Sequence, residues 1–451
     1  MTVPIPEASL RIAVVGAGPG GLAAIINLLR LPFVNLSVFD QATKLREVGA
    51  GISINQNTWR HLQLLGAAEE IEGYTQRGDG TKIDGEQRNG RTGELLARKY
   101  QSVDPNAPPR SRIERYKLQD ALLSQVPRDL IQLSKKLTKL SETPAGVKLD
   151  FADGTSAGPF DLVVGADGIR SVVRQHAFPE HKLSYTGKVA YRTLIPQSAV
   201  AHIKGIPPAS TFWHTTKTHV YTDLLDNGLF EIATRALVPE DEGAKVSWGQ
   251  KVSKEQVIPH YDNYCETIRQ IIAAPDEWLE FALFGGPQLE SVIHGDRIAL
   301  LGDASHPLSG AFGSGAAFAF EDAYVLAQAL SYTHSRGDDL SEALRLYDEV
   351  RSPHYKNLYA VLNGFADNVK EVEAAYSTAD VSDEDTIIAE TTKRNWSGAH
   401  GWIYTYDVTN VWADRVKLED AVRKLASVSV QDEVYDSGKQ QAPVSVVAAV
   451  A

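Results

Sequence analysis

Three glycines and one carboxylate stand where a dinucleotide could be held. Gly16, Gly18 and Gly21 have the G-x-G-x-x-G spacing, and Asp40 falls 19 residues after the last of them. Gly16 permits a tight turn, Gly18 lets backbone approach a pyrophosphate, and Gly21 allows a helix to pack closely on a strand. Asp40 can accept hydrogen bonds from ribose hydroxyls. The elements needed to place these groups surround them. Ile12–Val15 is a buried-strand run, Leu22–Leu31 is apolar over a helical length, and Ser37–Phe39 starts a second strand. The intervening helix would turn its free N-terminal N–H groups toward the phosphates. A glycine-rich turn in some other α/β fold is the competing explanation, and it leaves Asp40 without a task. The unit implies adenine-dinucleotide binding.

Two later segments narrow the dinucleotide. One is Asp161-Leu-Val-Val-Gly-Ala-Asp167-Gly168-Ile-Arg170-Ser171-Val-Val-Arg174. The other is Gly302-Asp303-Ala-Ser-His306-Pro307-Leu-Ser-Gly310-Ala-Phe-Gly313-Ser314-Gly315, followed by Glu321-Asp322-Ala323. With the N-terminal fingerprint they resemble, in order and spacing, the three sequence marks of the single-component (class A) FAD aromatic hydroxylases. The tract Gly302–Ala323 resembles that of fungal salicylate hydroxylases, and the resemblance covers nearly the whole chain. It implies an α/β fold: a doubly wound, Rossmann-like FAD-binding domain of the p-hydroxybenzoate hydroxylase type, an antiparallel β-sheet substrate domain and a helical C-terminal part.

The resemblance implies bound FAD, with NADH or NADPH as transient reductant. It assigns to FAD the residues Gly16, Gly18, Gly21, Asp40, Arg46, Gly51, Arg115, Asp167, Gly302, Asp303, Gly313, Ser314 and Gly315. Asp303, delivered by the buried run Ile298–Leu301, suits the ribityl hydroxyls, or a helix cap. Gly313-Ser314-Gly315, opening a helix, can present N–H groups where negative charge gathers on the reduced flavin. Asp167 lies near the pyrophosphate and nicotinamide path in the family, or is a turn residue before Gly168. Arg46 and Arg115 suit pyrophosphate oxygens, or are solvated surface arginines. The chain departs from the family pattern in places. It has Glu114-Arg115 where His-Arg is frequent, Gly310 where a proline is frequent, and Ser314 where Gln is frequent; Pro307 sits three residues before Gly310.

The implied chemistry is hydride transfer to FAD, O2 addition at flavin C4a, and transfer of the distal hydroperoxide oxygen to an electron-rich ring. The protein supplies orientation and a dry cavity. A phenolate reacts better than a phenol, so the site needs a cation or base near the substrate oxygen. Arg192 aligns with a substrate-domain arginine of related hydroxylases and could hold a phenolate or carboxylate, or could be a charge on a solvated sheet face. His214, His219 and Tyr221 are further candidates, or structural side chains. The catalytic set is Arg192, His214, Tyr221 and Pro307. His306 would shape the flavin loop, and the aromatic cluster Trp402–Tyr406 would pack the core. Salicylate, decarboxylated to a catechol, is the expected substrate. A polyketide or other secondary-metabolite phenol, a hydroxypyridine or an alkene is the alternative.

The pattern divides the chain into FAD-binding segments 1–75, 111–185 and 291–345. An excursion at 76–110 and a β-rich stretch at 186–290 form the substrate domain, 346–426 is helical, and 427–451 is a flexible tail. Asn55 should cap a helix through Leu65, Tyr116–Val126 should be helical, and Phe160–Val164 should be a buried strand. Val189–Ile195, Thr218–Leu225 and Phe230–Thr234 should be strands. Helices should cover Ala316–Leu330 and Leu340–Leu362, and residues 365–424 should be mostly helical.

Bulk properties exclude several classes. The 451 residues carry a net charge of −12, with no basic block suited to nucleic acid. One cysteine, Cys265, excludes a disulfide framework and a Cys-rich metal site. No signal peptide and no apolar run of about 18 residues is present, so a cytoplasmic protein is expected, monomeric or homodimeric. A second dinucleotide fingerprint is absent, which excludes two-nucleotide-domain monooxygenases and disulfide reductases. None of the seven tryptophans lies in the Trp-x-Trp-x-Ile-Pro tract of flavin halogenases. A non-catalytic nucleotide-binding escort would not need Asp303 and the glycine loop.

Overall fold

The structure, a computed structural model, describes residues 9–45, 51–75, 83–100, 111–225, 228–246, 249–308, 310–376 and 383–436. The chain forms two compact units, 1–406 and 407–451.

The first unit is built on a six-stranded sheet. The central strand Leu10–Val15 pairs in parallel with Val34–Phe39 on one side and Leu162–Gly165 on the other. Ile298–Leu300 extends the sheet in parallel beyond Leu162–Gly165. Such strands are covered on both faces, and Ile12, Val14, Leu162, Val163, Ile298 and Leu300 are fully buried. Helix Pro19–Leu28 follows the first strand, and helix Gly315–His334 lies against it. A three-stranded antiparallel sheet, residues 137–160, packs Leu140, Leu149 and Phe151 onto Phe39, Val163 and Ile298. Phe160 ends that sheet, and the buried strand starts only at Leu162. Asp161 between them is drawn aside by Arg11, at 2.6 Å.

The second sheet has nine strands among the described residues. The expected runs appear as Ser184–Pro196, His219–Leu224 and Leu229–Thr234. The excursion also contributes, through Ile83–Asn89 and Leu95–Tyr100. Ile83–Asn89 pairs in parallel with Ser210–His214, so the sheet is not wholly antiparallel. One face is a packed core. Tyr191, Trp213, Val220, Phe230, Ile232 and Trp278 meet Tyr261, Ile268 and Ile271. Burying each of these large side chains contributes about 1.5–3 kcal/mol.

Several boundaries shift. Helix Gln56–Leu65 starts after Asn55, but the Asn55 amide makes no cap and donates instead to Ser314 Oγ at 3.0 Å. Helix Arg115–Leu123 is shorter than the apolar spacing implied. The long helix runs Leu340–Tyr376 and carries Pro353 without ending. The C-terminal helix runs Val408–Asp436, so helix occupies the first ten residues of the expected tail. No Gly or Pro occurs between 427 and 436 to stop it. Residues 437–451 lie outside the described residues.

Candidate active site

Three backbone turns converge at the carboxyl ends of the parallel strands, where ligands of doubly wound sheets bind. At the first, Gly16 has φ +103, and an added Cβ would lie 2.3 Å from the Ala166 carbonyl oxygen. A Cβ on Gly21 would lie 2.0 Å from the Gly16 carbonyl oxygen, so both positions exclude side chains. Gly18 faces open space and is the N-cap of helix Pro19–Leu28 with no side-chain cap. Its first-turn N–H groups are therefore placed for an anion. Asp40 accepts from Ala17 N–H at 2.6 Å and Ala42 N–H at 2.7 Å, which fixes the turn while further lone pairs remain for a ribose.

The second turn is Gly165–Arg174. Asp167 accepts from Ser171 Oγ and from Val172 N–H, so its carboxylate caps helix Val172–Ala177. Here the turn-residue reading describes the side chain. The third turn starts at Gly302, φ +59, and carries the exposed Asp303. A Cβ on Gly315 would lie 3.7 Å from Asp303 Oδ1, so this carboxylate borders the N-terminus of helix Gly315–His334. Ser314 is the N-cap residue and makes no side-chain cap, leaving that N-terminus open as well. Gly310 has φ +70, a value closed to proline, so the loop takes a path the frequent family residue could not follow. Phe312, also left-handed at φ +64, has its carbonyl held by Tyr404 Oη at 3.2 Å. Open helix N-termini, a side-chain-free turn and two acids at ribose and ribityl positions fit FAD.

What fixes these turns lies behind them. Arg174, fully buried, donates to the Asp303 and Ala304 carbonyls at 3.1 and 2.9 Å and to the Ile169 carbonyl, joining the second and third turns. Gly302 N–H donates to Asp322 Oδ2 at 2.8 Å. Asp322 and Glu321 share the buried Arg351, at 2.7 and 3.0 Å. Burial pushes both carboxyls up. Arg351, His306 and Tyr355 outweigh it at Asp322, which ends low, while Glu321 stays high. One proton on Glu321 leaves a neutral Arg351–Asp322 pair, the cheaper arrangement in a dry interior. His306 stacks on Tyr355 at 4.1 Å inside this cluster, and His354 stacks on Tyr406 at the same distance. Gly20 lets helix 19–28 reach helix 315–334: an added Cβ would lie 2.8 Å from Ala319 Cβ.

The nine-stranded sheet turns its second face to a different set. By register Arg192, Ala233, Tyr221, Phe212 and Gln87 follow one another across five strands. Glu231, Asp223, His214 and His219 project from the same face. Arg192 makes no ion pair or hydrogen bond among the described residues, and its guanidinium lies over Phe281 at 6.0 Å. Burial pushes its pKa down to about 10, Arg115, Arg112 and Arg235 push the same way, and Glu231 opposes them. Glu231 is engaged by Arg112, at 2.5 Å, and by Gly51 N–H, at 3.0 Å. Gly51 is thus bare because Glu231 fills the place of its side chain. Tyr221 Oη donates to Asp223 Oδ2 at 2.5 Å, and Arg112 covers its ring at 5.0 Å. Burial raises the Tyr221 pKa well above the ordinary phenol range. His214 Nε2 lies 2.6 Å from Gln87 Oε1, and burial lowers its pKa to about 4, so the ring is neutral near pH 7.

The chain matches the FAD binding domain family over residues 9–361. It is 31% identical over 355 residues to a 3-amino-4-hydroxybenzoate 2-monooxygenase of Streptomyces platensis, covering 77% of this chain and 86% of the relative. It is 28% identical to the 6-methylsalicylate 1-monooxygenase of Aspergillus terreus, covering 93% and 94%. A salicylate hydroxylase substrate complex shares the fold, with a TM-score of 0.72 at 23% identity over 91% of this chain and 98% of that one. The chain belongs to the class A FAD-dependent hydroxylases.

FAD is the cofactor of this flavin hydroxylase, which is an FAD-dependent monooxygenase. The structure brings Arg192, His214, Tyr221 and, by its electrostatic influence on Arg192, Arg115 to one region. Pro307 stands elsewhere, buried, its Cγ 3.1 Å from where a Gly286 Cβ would be. Arg46 lies outside the described residues. Reasoning from sequence overlooked Arg112, Glu231, Asp223 and Trp396. Trp396, at the end of helix Glu384–Asn395, has its ring 5.2 Å from Phe212. No helix among the described residues is long and apolar enough to cross a membrane.

Proposed function

We propose that the protein hydroxylates an ortho-hydroxybenzoate, with salicylate as the simplest case, at the carboxyl-bearing carbon. CO2 leaves and a catechol remains. NAD(P)H supplies two electrons; one atom of O2 enters the ring and the other leaves as water. Bound FAD accepts the hydride and activates O2. The observation that carries the reading is Arg192, a partly buried guanidinium without an acid partner among the described residues, on a sheet face lined with aromatic rings. A buried cation is costly until an anion meets it, and a benzoate carboxylate or phenolate matches it in bidentate geometry. Both monooxygenases named above carry a hydroxybenzoate in their names, which supports a carboxylate-bearing ring.

Tyr221 takes the phenol next to that carboxylate. Its proton is committed to Asp223, so its oxygen can accept one from the substrate phenol. A phenol O–H donating there has a carboxylate one link further to receive the proton, which leaves the negative charge on the substrate oxygen and raises electron density on the ring. His214, neutral and fixed by Gln87, borders this chain through Phe212. A neutral alkene would leave Arg192 unmatched.

The test is oxidation of NADH and of NADPH by FAD-loaded protein, with and without salicylate, with products identified. Strong stimulation with catechol and CO2 is the expected result. Stimulation without catechol, or none, overturns salicylate as substrate.

A further inference from the structure

The reading above leaves part of the sheet face unused. Lys188, Ala190 and Arg192 alternate along Ser184–Pro196 and share a face. Register pairs Val189 with Ala236 and Arg192 with Ala233, which sets Arg235 opposite Ala190 on that same face. Arg235 is tied to His219 through its backbone N–H, at 3.1 Å from the His219 carbonyl. Three cations thus follow one another toward one end of the sheet, at positions 188, 235 and 192.

Glu231 and Asp223, the acids of this face among the described residues, are already occupied, and Arg235 has an interaction of its own. Glu231 gives one oxygen to Arg112 and the other to Gly51 N–H. Asp223 takes Ser210, Tyr221 and Leu224 N–H. Lys188 makes no ion pair among the described residues. It is withdrawn from solvent far enough that burial, and then Arg235, lower its pKa. It also leaves a bulge: Gly187 has φ +75, and the pairing with Glu277–Gly285 slips between Tyr185 and Val189. Bulges re-aim the side chain that follows them, often beside active sites.

We propose that Lys188 and Arg235 form a second anion subsite, separate from Arg192, that takes a carboxylate or phosphate group. Lys188 and Arg192 are four residue steps apart along the strand, about 13 Å, a longer reach than a hydroxybenzoate has. The carboxylate held at Arg192 therefore does not fill it. Two sources carry the right chemistry. One is the pyrophosphate of the nicotinamide dinucleotide, for which the chain has no second fingerprint. The other is a second acidic group on a longer aromatic substrate. The separation from Arg192 rests on the proposed function; the anion site itself does not.

The experiment uses FAD-loaded wild type, Lys188→Gln and Lys188→Arg. Calorimetric titration with inorganic pyrophosphate should show binding to wild type, weakened about tenfold in Lys188→Gln and largely restored in Lys188→Arg. Steady-state kinetics then separate the sources. A rise of about five- to tenfold in KM for NADH or NADPH, with kcat and the salicylate KM unchanged, assigns the site to the reductant. An unchanged nucleotide KM with weaker binding of 4-hydroxybiphenyl-3,4'-dicarboxylate, a salicylate whose second carboxylate lies on a far ring, assigns it to the substrate. Equal pyrophosphate affinity in wild type and Lys188→Gln overturns the proposal. If salicylate fails as a substrate, the titration still reports on Lys188, so the two ideas fail separately.

Discussion

The cofactor side and the substrate side of this molecule recognise their ligands by different means. The candidate cofactor side offers its ligand backbone. Gly16, Gly18, Gly21 and Gly315 offer turns and open helix N-termini, and each recognition unit is a continuous stretch of sequence. The proposed substrate side offers side chains from strands far apart in the chain. Arg192, Tyr221, His214 and Gln87 become neighbours only through strand register. Backbone recognition needs particular residues to be absent, which is why glycine marks it. Side-chain recognition needs particular residues in particular rows, and a one-residue slip would send all of them to the other face.

The sharpest test of that contrast is Gly21→Ala. Alanine favours helix, yet its Cβ would lie 2.0 Å from the Gly16 carbonyl oxygen. Complete loss of FAD on gel filtration is expected, and wild-type flavin absorbance would break the account. Asp322→Ala comes next. It leaves Arg351 with Glu321 as its remaining acid, which must give up its proton to pair with it, and it frees Gly302 N–H, so urea unfolding should show a loss of about 2–3 kcal/mol. Arg192→Ala should lower turnover of a carboxylated phenol about 10–100-fold while FAD retention stays unchanged. An equal fall in both would erase the separation between the two sides.

The smallest effect is on pH dependence. Burial holds the His214 pKa at about 4, against an ordinary 6.5. Between those values the unfolded chain binds a proton that the folded chain refuses, so stability falls as pH drops through that window. His214→Phe should flatten part of this slope, read as melting temperature against pH. An unchanged slope would remove His214 from the acid limb.

The contrast also explains what the sequence revealed. Glycine spacing announced the first turn, because a missing side chain is visible in one dimension, and the other two were legible through their resemblance to family motifs. Asp40 was legible as an acid at the end of a strand, though not as the residue that fixes its own turn through Ala17 and Ala42. Asp167 was legible by its place in a motif, though not as the residue whose carboxylate also caps helix Val172–Ala177. Glu231 and Asp223 were invisible for the opposite reason. In Phe230-Glu231-Ile232 and Thr222-Asp223-Leu224 the alternation reads as an ordinary solvated sheet face, and only tertiary packing buries it. Arg351 and Asp322 sat inside long helical patterns, where a charge suggests the outer surface.

The contact between Gly20 and Ala319 carries a consequence in time. The helix that the first glycine turn must touch is encoded about 300 residues after it. At roughly 5–20 residues per second, the nascent chain waits about 15–60 s before the two halves of the flavin cradle can meet. During that interval the central strand Leu10–Val15 can have its partners from residues 34–39 and 162–165, but not the sheet's extension at 298–300. Assembly of the cradle therefore waits on residues 298–319, and a chain stalled before residue 298 would hold half a nucleotide site.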